Sequence, residues 1–542
     1  MRRVFPVLGL LGATLLASAT AASASTYSVA GPTLAPDHPF TPSMTCPNDP
    51  GPPSTGAVRV NYNGAEVEPF IGVNPSDSTN IVAFFQQDRW TNGGAHGLVA
   101  DVSHDGGASW STTWPAFSRC TGGTLANGGY FDRSSDPWIS FSPNGYVWTI
   151  AIAVDASDTR NAVLASRSTN GGDSWSDPFT LKFDTSPKVG LPQGNNFNDK
   201  ESITADPGDS NLVYAVWDRI VSPSETAPEI AFLRARSYHG PTWFARSTNA
   251  ASASPSFETA RPIYDPGAQN QTISNQIVVL PNGTLVDGFV LLQKHKNNHG
   301  RRGASIAVIR STDKGVTWSK HPIIISPLGS VGVRDPEPKH CRPFAAGDPL
   351  CTALRTGDII PDFAVDRNPA SDGYGNIYAV WQSHEFSSLG DDTIFLSRST
   401  NGGLSWSTPI KVNQTPSTAY NPQAYTASVD VAKNGDVGVT YYDQQNDVQG
   451  DDELSTDYWL VHSHDQGQTF SDPASRLTGS SSFDMRAAPY ARGYFTGDYE
   501  ALAHSYADNT FKAFFDVGVG TGSAIWSDPN ANHTDNMFAS AG

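Results

Sequence analysis

Apolar and polar residues alternate in short runs along most of the chain, and Gly, Pro, Asn and Asp separate the runs. A period of two is typical of β-strands, and no helical periodicity of any length interrupts it. A strand, a tight turn and a second strand recur, and we call each such unit an A–B pair. The turns of seven A–B pairs lie near residues 77, 144, 209, 282, 372, 434 and 508. The pattern predicts an all-β chain built from a repeated unit.

A second, shorter motif follows the A–B pairs. Its consensus is S-x-[DN]-x-G-x-[ST]-[WF], where x is any residue. The Asp or Asn side chain caps backbone N–H groups of the turn, the Gly supplies a positive φ, and the aromatic ring is an apolar plug. The motif therefore predicts a β-hairpin. Its clear copies are SHDGGASW at 103–110, STNGGDSW at 168–175, STDKGVTW at 311–318, STNGGLSW at 399–406 and SHDQGQTF at 463–470, and a degraded copy, STNAASAS, begins at 247.

Together the two patterns predict a β-propeller of four-stranded antiparallel blades, with the motif hairpin between the outer strands C and D. Seven A–B pairs favour seven blades, and six blades with one pair outside the ring is the alternative. We expect residues 523–529 and a strand near residue 60 to complete the last blade. That closure would make residues 57–542 a single propeller without free sheet edges. Residues 25–56, rich in Pro, Ser and Thr, are expected to form an extended strap.

Residues 1–24 have the pattern of a secretory signal peptide. Arg2 and Arg3 precede an apolar run that is too short to span a bilayer, and Ala22-Ser23-Ala24 is an A-x-A cleavage pattern. We therefore expect a secreted protein whose mature chain begins near Ser25, without a membrane span.

Four cysteines in an exported protein predict two disulfides. Cys341 and Cys351 flank a short loop, which favours their pairing, and Cys46 is then left to pair with Cys120. A zinc site is the alternative, although no Cys-x-x-Cys spacing supports it.

Composition and charge narrow the classes of function. Aromatic residues make up 11% of the chain, which excludes a disordered protein. There are 35 Lys and Arg against 53 Asp and Glu, a net charge of −18. Nucleic acid is not an expected partner, because phosphate binding needs a basic field, and the acidity is typical of a soluble secreted protein. We expect a monomer.

The five clear hairpins resemble the Asp box, or BNR repeat, of the sialidase (neuraminidase) superfamily, and the resemblance covers residues 60–530. It implies a β-propeller glycoside hydrolase, exo-α-sialidase-like, that acts on an extracellular glycan. It also implies that the hairpins are structural and lie on the face away from the active site. Sialidases of this superfamily use an Arg triad for the substrate carboxylate, a Tyr/Glu nucleophile pair and an Asp acid/base.

Strand order places the A–B turns and the hairpins on one face, so A-strand starts and B-strand ends collect on the opposite face. These positions are rich in charge for a chain that is only 16% charged. Paired carboxylates serve glycoside hydrolysis, and Arg side chains can hold a substrate carboxylate. The candidate catalytic residues are Asp136, Asp199, Glu201, Asp498, Tyr499 and Glu500. The candidate substrate-binding residues are Glu68, Arg89, Arg133, Arg219 and Asp358.

Two other functions fit the same pattern. A non-catalytic propeller that binds glycan or protein would share the fold and would not need close carboxylates. A polysaccharide lyase would need a Tyr or His base, and His295 and His384 are the candidate histidines. We expect no required cofactor and assign no metal-binding residues, although an acidic ring of this kind is compatible with a structural Ca²⁺ ion.

Overall fold

The part of the chain described by the computed structural model is all-β. It comprises residues 27–40, 46, 60–155, 160–185, 196–221, 239–296, 302–330, 332–337, 354–387, 390–451, 453–520 and 532–542. Two short 3₁₀ turns, Arg119–Thr121 and Met485–Ala487, accompany the strands. A search of these residues for a helix long and apolar enough to cross a membrane finds none.

The strands of the described ranges form seven four-stranded antiparallel sheets, which we number along the chain. Strand β1 (Val29–Leu34) comes first but belongs to sheet 7. Sheet 1 contains β2 (Glu66–Asn74), β3 (Asp77–Arg89), β4 (Ala95–Ser103) and β5 (Ser111–Thr113). Sheet 2 contains β6 (Arg133–Phe141), β7 (Val147–Val154), β8 (Arg160–Ser168) and β9 (Phe179–Thr185). A single residue pair joins sheets 1 and 2, Ala95 with Ser134.

The next four sheets repeat the same order. Sheet 3 contains β10 (Asn196–Ala205), β11 (Val213–Val221), β12 (Thr242–Ser247) and β13 (Arg261–Tyr264). Sheet 4 contains β14 (Gln271–Val279), β15 (Leu285–Lys296), β16 (Arg302–Ser311) and β17 (Ile323–Pro327). Sheet 5 contains β18 (Asp362–Val365), β19 (Ile377–Ser383), β20 (Thr393–Ser399) and β21 (Ile410–Lys411). Sheet 6 contains β22 (Ala424–Val431), β23 (Val437–Asp443), β24 (Ser455–Ser463) and β25 (Ser475–Arg476), with β26 (Phe483–Asp484) also on β24.

Sheet 7 joins the two ends of the chain. Its order is β27 (Ala501–His504), β28 (Phe511–Gly518), β29 (Thr534–Ala541) and then β1. The first strands of successive sheets pack against one another in a closed cycle, from β2 to β6, β10, β14, β18, β22 and β27, and from β27 back to β2. The starts of these strands therefore share one region of the molecule.

The core lies between neighbouring sheets rather than in one central layer. Phe84 of β3 and Leu98 of β4, for example, pack with Val147 and Ala151 of β7, and all four are fully buried. Burying a side chain of the size of Phe or Leu contributes roughly 1.5–3 kcal/mol relative to leaving it exposed. Because both faces of a sheet are covered, the central strands are apolar on both faces.

The predicted all-β architecture of four-stranded antiparallel sheets is confirmed, but the closing strand was wrongly placed. Near residue 60 the chain makes only an isolated bridge, Asn61 with Trp90. The fourth strand of sheet 7 is instead β1, which lies within the 25–56 segment that we expected to be an extended strap. The third strand of sheet 7 was also wrongly placed at 523–529, because β29 (Thr534–Ala541) pairs with β28 instead. The predicted signal peptide lies outside the described residues.

The motif hairpins share one set of hydrogen bonds. The Ser311 hydroxyl accepts from the Gly315 N–H at 2.8 Å, and the Asp313 carboxylate accepts from the Thr317 N–H at 2.9 Å. Hydrogen bonds from Thr317 lower the pKa of Asp313 to about 2. Gly315 has a φ of +83°, which is costly for residues with a Cβ atom. The motif thus encodes its turn locally, which is why the hairpins could be recognised along the sequence.

The Cys46–Cys120 disulfide is present, as predicted, and its two cysteines are 74 residues apart. Cys341 and Cys351 lie outside the described residues. We expect replacement of both Cys46 and Cys120 by Ala to lower the free energy of unfolding by about 4 kcal/mol, because the unfolded chain gains the entropy of an open loop of this length. Urea unfolding measures the change. A variant with an unchanged midpoint and slope would contradict a stabilising role for this bond.

Candidate active site

A β-bulge recurs near the start of the first strand in five sheets. At each bulge the register shifts, and one residue other than Gly takes a left-handed conformation with φ between 47° and 61°. Bulges re-aim side chains, and left-handed residues other than Gly concentrate at functional sites. The five residues are Glu68, Asp136, Lys200, Ser274 and Thr426. Three of the five bulges therefore carry a charged residue into the region where the first strands meet.

Lys200 is the centre of a buried charge cluster. Its Nζ atom lies 2.8 Å from Oδ2 of Asp498, 3.1 Å from Oδ2 of Asp136 and 3.7 Å from Oε1 of Glu68. Burial by itself lowers the pKa of an ammonium group, but the neighbouring carboxylates outweigh it and raise the pKa of Lys200 well above its ordinary value. Lys200 therefore stays charged and holds carboxylates from three separate segments together.

Arg355 completes this cluster from a segment before β18. Its guanidinium group binds both carboxylate oxygens of Asp498, with Nε at 3.0 Å from Oδ1. Burial would raise the pKa of Asp498, yet Arg355 and Lys200 hold it well below its ordinary value. We call Glu68, Asp136, Lys200, Arg355 and Asp498 the Lys200 cluster. Asp498 is thus a permanent anion that organises the cations and cannot serve as a proton donor.

Arg89 borders the cluster on the same side. Its Cζ atom lies 5.2 Å from the centre of the Phe495 ring, and that of Arg355 lies 4.3 Å from it. The Nη1 atom of Arg89 donates to Oε1 of Gln86, whose side-chain amide donates to Glu68. Phe495 thus supports two guanidinium groups, and Arg89 connects to the cluster through Gln86.

The pKa values of the carboxyl groups around Lys200 are pushed apart. Burial raises the pKa of Glu68 to about 7, although Lys200 opposes the shift. Burial, followed by the charge of Asp136, raises the pKa of Asp199 to about 6. The same two causes raise the pKa of Glu201 well above its ordinary value. One region therefore holds both protonated and ionised carboxyl groups near neutral pH, as acid/base chemistry requires.

Glu201 is the most unusual of these groups. Its side chain is 3% exposed, and neither carboxyl oxygen finds a hydrogen-bond partner among the described residues. It lines a cavity of about 20 Å³, which has room for about one water molecule. Asp136, Lys200 and Tyr499 line the same cavity. An uncompensated buried carboxyl group is costly, so its position calls for a functional reason.

Aromatic rings form one wall of this cavity. Trp138 stacks on Phe70 with ring centres 3.8 Å apart, and Tyr499 meets Trp138 edge-on at 5.6 Å. The Tyr499 hydroxyl donates to the Pro137 carbonyl at 3.0 Å. Burial and then the charge of Glu68 raise the pKa of Tyr499 well above its ordinary value. Tyr499 is therefore neutral, and its phenol oxygen already has a hydrogen-bond acceptor.

Several candidates from the sequence lie away from the cavity. Arg219 binds Asp184 through two hydrogen bonds, at 2.6 and 2.7 Å. Arg133 donates to Asn92 and to the Gly93 carbonyl. Neither Arg residue is among the described residues that line the cavity beside Glu201.

Two acidic candidates are also set apart. Glu500 accepts from the Asp516 N–H at 3.3 Å, and burial raises its pKa well above the ordinary value. Burial raises the pKa of Asp358 to about 6, against a hydrogen bond from Ser330. Among the described residues, Glu500, Asp358 and His384 do not line the cavity beside Glu201. The side chain of His295 lies outside the described residues.

We did not predict Arg355 as a site residue. The segment around it shows no A-strand alternation, and its only pairing is the isolated bridge between Leu354 and Tyr494. The one available signal was its position three residues before Asp358, on the approach to an A strand. Nothing in that local pattern indicates a partner 143 residues away.

Comparisons with known proteins place sialidases and arabinofuranosidases among the similar solved structures. No family model and no curated protein matches the chain. A mutant of the NanB sialidase from Streptococcus pneumoniae is 10% identical with a TM-score of 0.44, covering 89% of this chain and 94% of that chain. A Hadza microbial sialidase is 13% identical with a TM-score of 0.43, covering 86% and 74%. The α-L-arabinofuranosidase Arb93A from Fusarium graminearum is 12% identical with a TM-score of 0.43, covering 72% and 90%.

Proposed function

We propose that this chain is a secreted, seven-bladed β-propeller glycoside hydrolase whose active site is the Lys200 cluster together with Glu201. Each four-stranded sheet would be one blade, and the closed cycle of first strands from β2 to β27 supports that arrangement. The single observation that carries the proposal is the buried carboxyl group of Glu201, which has no hydrogen-bond partner among the described residues and shares one cavity with Asp136. Glycoside hydrolysis uses a pair of carboxyl groups, one protonated and one ionised.

The proposed roles follow from burial and charge. Glu201 donates a proton to the departing glycosidic oxygen, because burial raises its pKa well above the ordinary value. Asp136 acts on the other side as base or nucleophile, held by the Ser135 hydroxyl at 2.6 Å and by Lys200. Asp498 positions the cations, and Tyr499 and Trp138 form the apolar wall of the cavity.

The charges of this site favour an acidic sugar. Three cations, Lys200, Arg89 and Arg355, lie around Asp136 and Asp498, and Arg355 and Lys200 hold the pKa of Asp498 well below its ordinary value. The remaining carboxyl groups have raised pKa values and carry less negative charge near pH 6. The negative charge of a substrate carboxylate would balance the positive charge of these cations. We therefore propose exo-hydrolysis of α-linked sialosides.

A substrate panel tests this proposal. The purified chain is incubated with α-linked sialosides, neutral oligosaccharides and uronic-acid polysaccharides, and released sugar and the ultraviolet absorbance of unsaturated uronates are measured in the same tubes. Release of sialic acid without that absorbance supports the proposal. The absorbance would indicate a lyase instead. No product together with binding on a glycan array would make the chain a binding propeller.

The site also predicts the pH dependence of activity. A general acid works only while it is protonated, so kcat/KM should fall as pH rises through the raised pKa of Glu201. It should also fall at low pH, where the group that acts as base or nucleophile gains a proton. We expect a bell-shaped profile, measured with the substrate that the panel identifies. A plateau that extends into the alkaline range would contradict the role of Glu201 as the acid.

A further inference from the structure

A second polar cluster lies far along the chain from Lys200, at the end of β24. His462 and His464 are two residues apart, so they project to the same side of an extended segment. Asp472 follows on the return of the same hairpin. One ligand-type atom from each of the three residues lies within 4.8 Å of the others. Two imidazoles and a carboxylate are a common zinc-binding set.

Two of the three distances between ligand atoms match tetrahedral coordination. Nε2 of His462 lies 3.2 Å, and Nε2 of His464 3.1 Å, from Oδ2 of Asp472. In a tetrahedral site with metal–ligand bonds of 2.0–2.1 Å, adjacent ligand atoms are about 3.3 Å apart. The third distance, between the ligand atoms of the two imidazoles, is within 4.8 Å.

His464 is also held as metal-binding histidines usually are. Its Nδ1 atom lies 2.7 Å from Oδ1 of Asp436, so the carboxylate orients the ring and leaves Nε2 for the ion. Asp436 is itself held in place, because its Oδ2 accepts from the Tyr27 hydroxyl at 2.6 Å and from the Asn434 amide at 2.7 Å. These hydrogen bonds around Asp436 would fix the tautomer of His464 before the metal binds.

His462 supplies a second, independent observation. Its side chain is 1% exposed, and neither ring nitrogen makes a hydrogen bond with the described residues. The Tyr27 ring stacks on it with centres 3.7 Å apart and planes 5° apart. The burial of this imidazole and the 3.2 Å approach of its Nε2 to Oδ2 of Asp472 fit a metal ligand.

We propose that His462, His464 and Asp472 bind one Zn²⁺ ion, with water as the fourth ligand. The ion lies under Tyr27, two residues before β1 begins. Bound zinc would therefore tie sheet 6 to the segment that closes sheet 7, and its role would be structural. The site is separate from the proposed hydrolase chemistry and does not depend on it.

The test measures zinc binding by the full chain after treatment with a chelator. Calorimetric titration with ZnCl2 and elemental analysis should give one Zn²⁺ per chain, and Co²⁺ in its place should give the visible absorption of a tetrahedral site. We expect His464→Ala to lose the ion, and Asp436→Asn, which only weakens orientation, to bind about 10–100-fold more weakly. Zinc should raise the melting temperature of the wild type and leave that of His464→Ala unchanged.

His104→Ala is the matched control. His104 holds the same position in the first motif hairpin, and its side chain pairs with Asp173 and is 51% exposed. The His464 side chain is 47% exposed, so both variants should fold, as circular dichroism would show. Binding by His104→Ala equal to that of the wild type is expected. The absence of zinc binding by the wild type, or equal binding by His464→Ala and His104→Ala, would overturn the proposal.

Discussion

Replacing Glu201 by Gln is expected to lower kcat/KM by about 10²–10⁴, the range that a general acid contributes. Gln keeps the shape of the side chain but has no proton of suitable acidity for a departing oxygen. Glu201 is buried without a hydrogen-bond partner among the described residues, and the Gln amide is a polar group of the same size in the same place. The free energy of unfolding should therefore change little, and the alkaline limb of the pH profile should disappear.

Asp287→Asn is the matched control for this variant. Asp287 is fully buried on β15, both its oxygens lack partners among the described residues, and burial raises its pKa well above the ordinary value. It does not line the cavity beside Glu201 within the described part of the chain. Its substitution should leave kcat/KM within about twofold of the wild type. Equal activity of Glu201→Gln and Asp287→Asn would remove Glu201 from the mechanism.

Replacing Lys200 by Met is expected to lower the free energy of unfolding by about 3–5 kcal/mol, because removal of one partner leaves buried charges uncompensated. Glu68, Asp136 and Asp498 would then share two guanidinium groups, those of Arg89 and of Arg355, and Arg355 is bound to Asp498. Activity should be lost as well, because Lys200 positions Asp136. Urea unfolding and kinetics on the same preparation measure both effects.

The pH dependence of the stability loss distinguishes uncompensated charge from a packing defect. Without Lys200 the pKa values of the carboxyl groups in the folded protein rise. Above the ordinary carboxyl pKa of about 4, the folded variant therefore binds more protons than the unfolded chain does. The stability deficit should therefore be small below that pH and grow as pH rises toward neutrality. A deficit that is the same at both ends of this range would indicate lost packing rather than lost charge.

Lys182→Met is the control for the loss of a surface charge. Lys182 Nζ lies 3.7 Å from Asp184 Oδ1, and its side chain is 25% exposed. A pair of this kind is worth at most about 1 kcal/mol, because water screens it. A comparable loss of stability in Lys182→Met and Lys200→Met would show that the Lys200 cluster has no special role in holding the fold.

Features that depend on neighbouring residues were predictable from the sequence alone. Alternation with a period of two identified all seven A–B pairs, because the two faces of a strand are set by the backbone. The Ser, Asp and Gly positions of the motif identified the hairpins, because the hydrogen bonds of Ser311 and Asp313 close within the turn. The charged starts of the A strands also predicted that Asp136, Glu201 and Asp498 share one region, and Asp136 and Asp498 both contact Lys200 next to Glu201.

Features that depend on distant segments were decided only by the tertiary structure. The sequence does not show that β1 rather than the strand near residue 60 completes sheet 7, since either can supply edge hydrogen bonds. It does not show that Asp184 is the partner of Arg219, or that Arg355 binds Asp498. The bulges that turn Asp136 and Lys200 toward each other leave no local signature either. The reason is physical: alternation and turn chemistry are encoded within a few residues, whereas charge pairing and pKa shifts depend on which segments the completed set of sheets brings together.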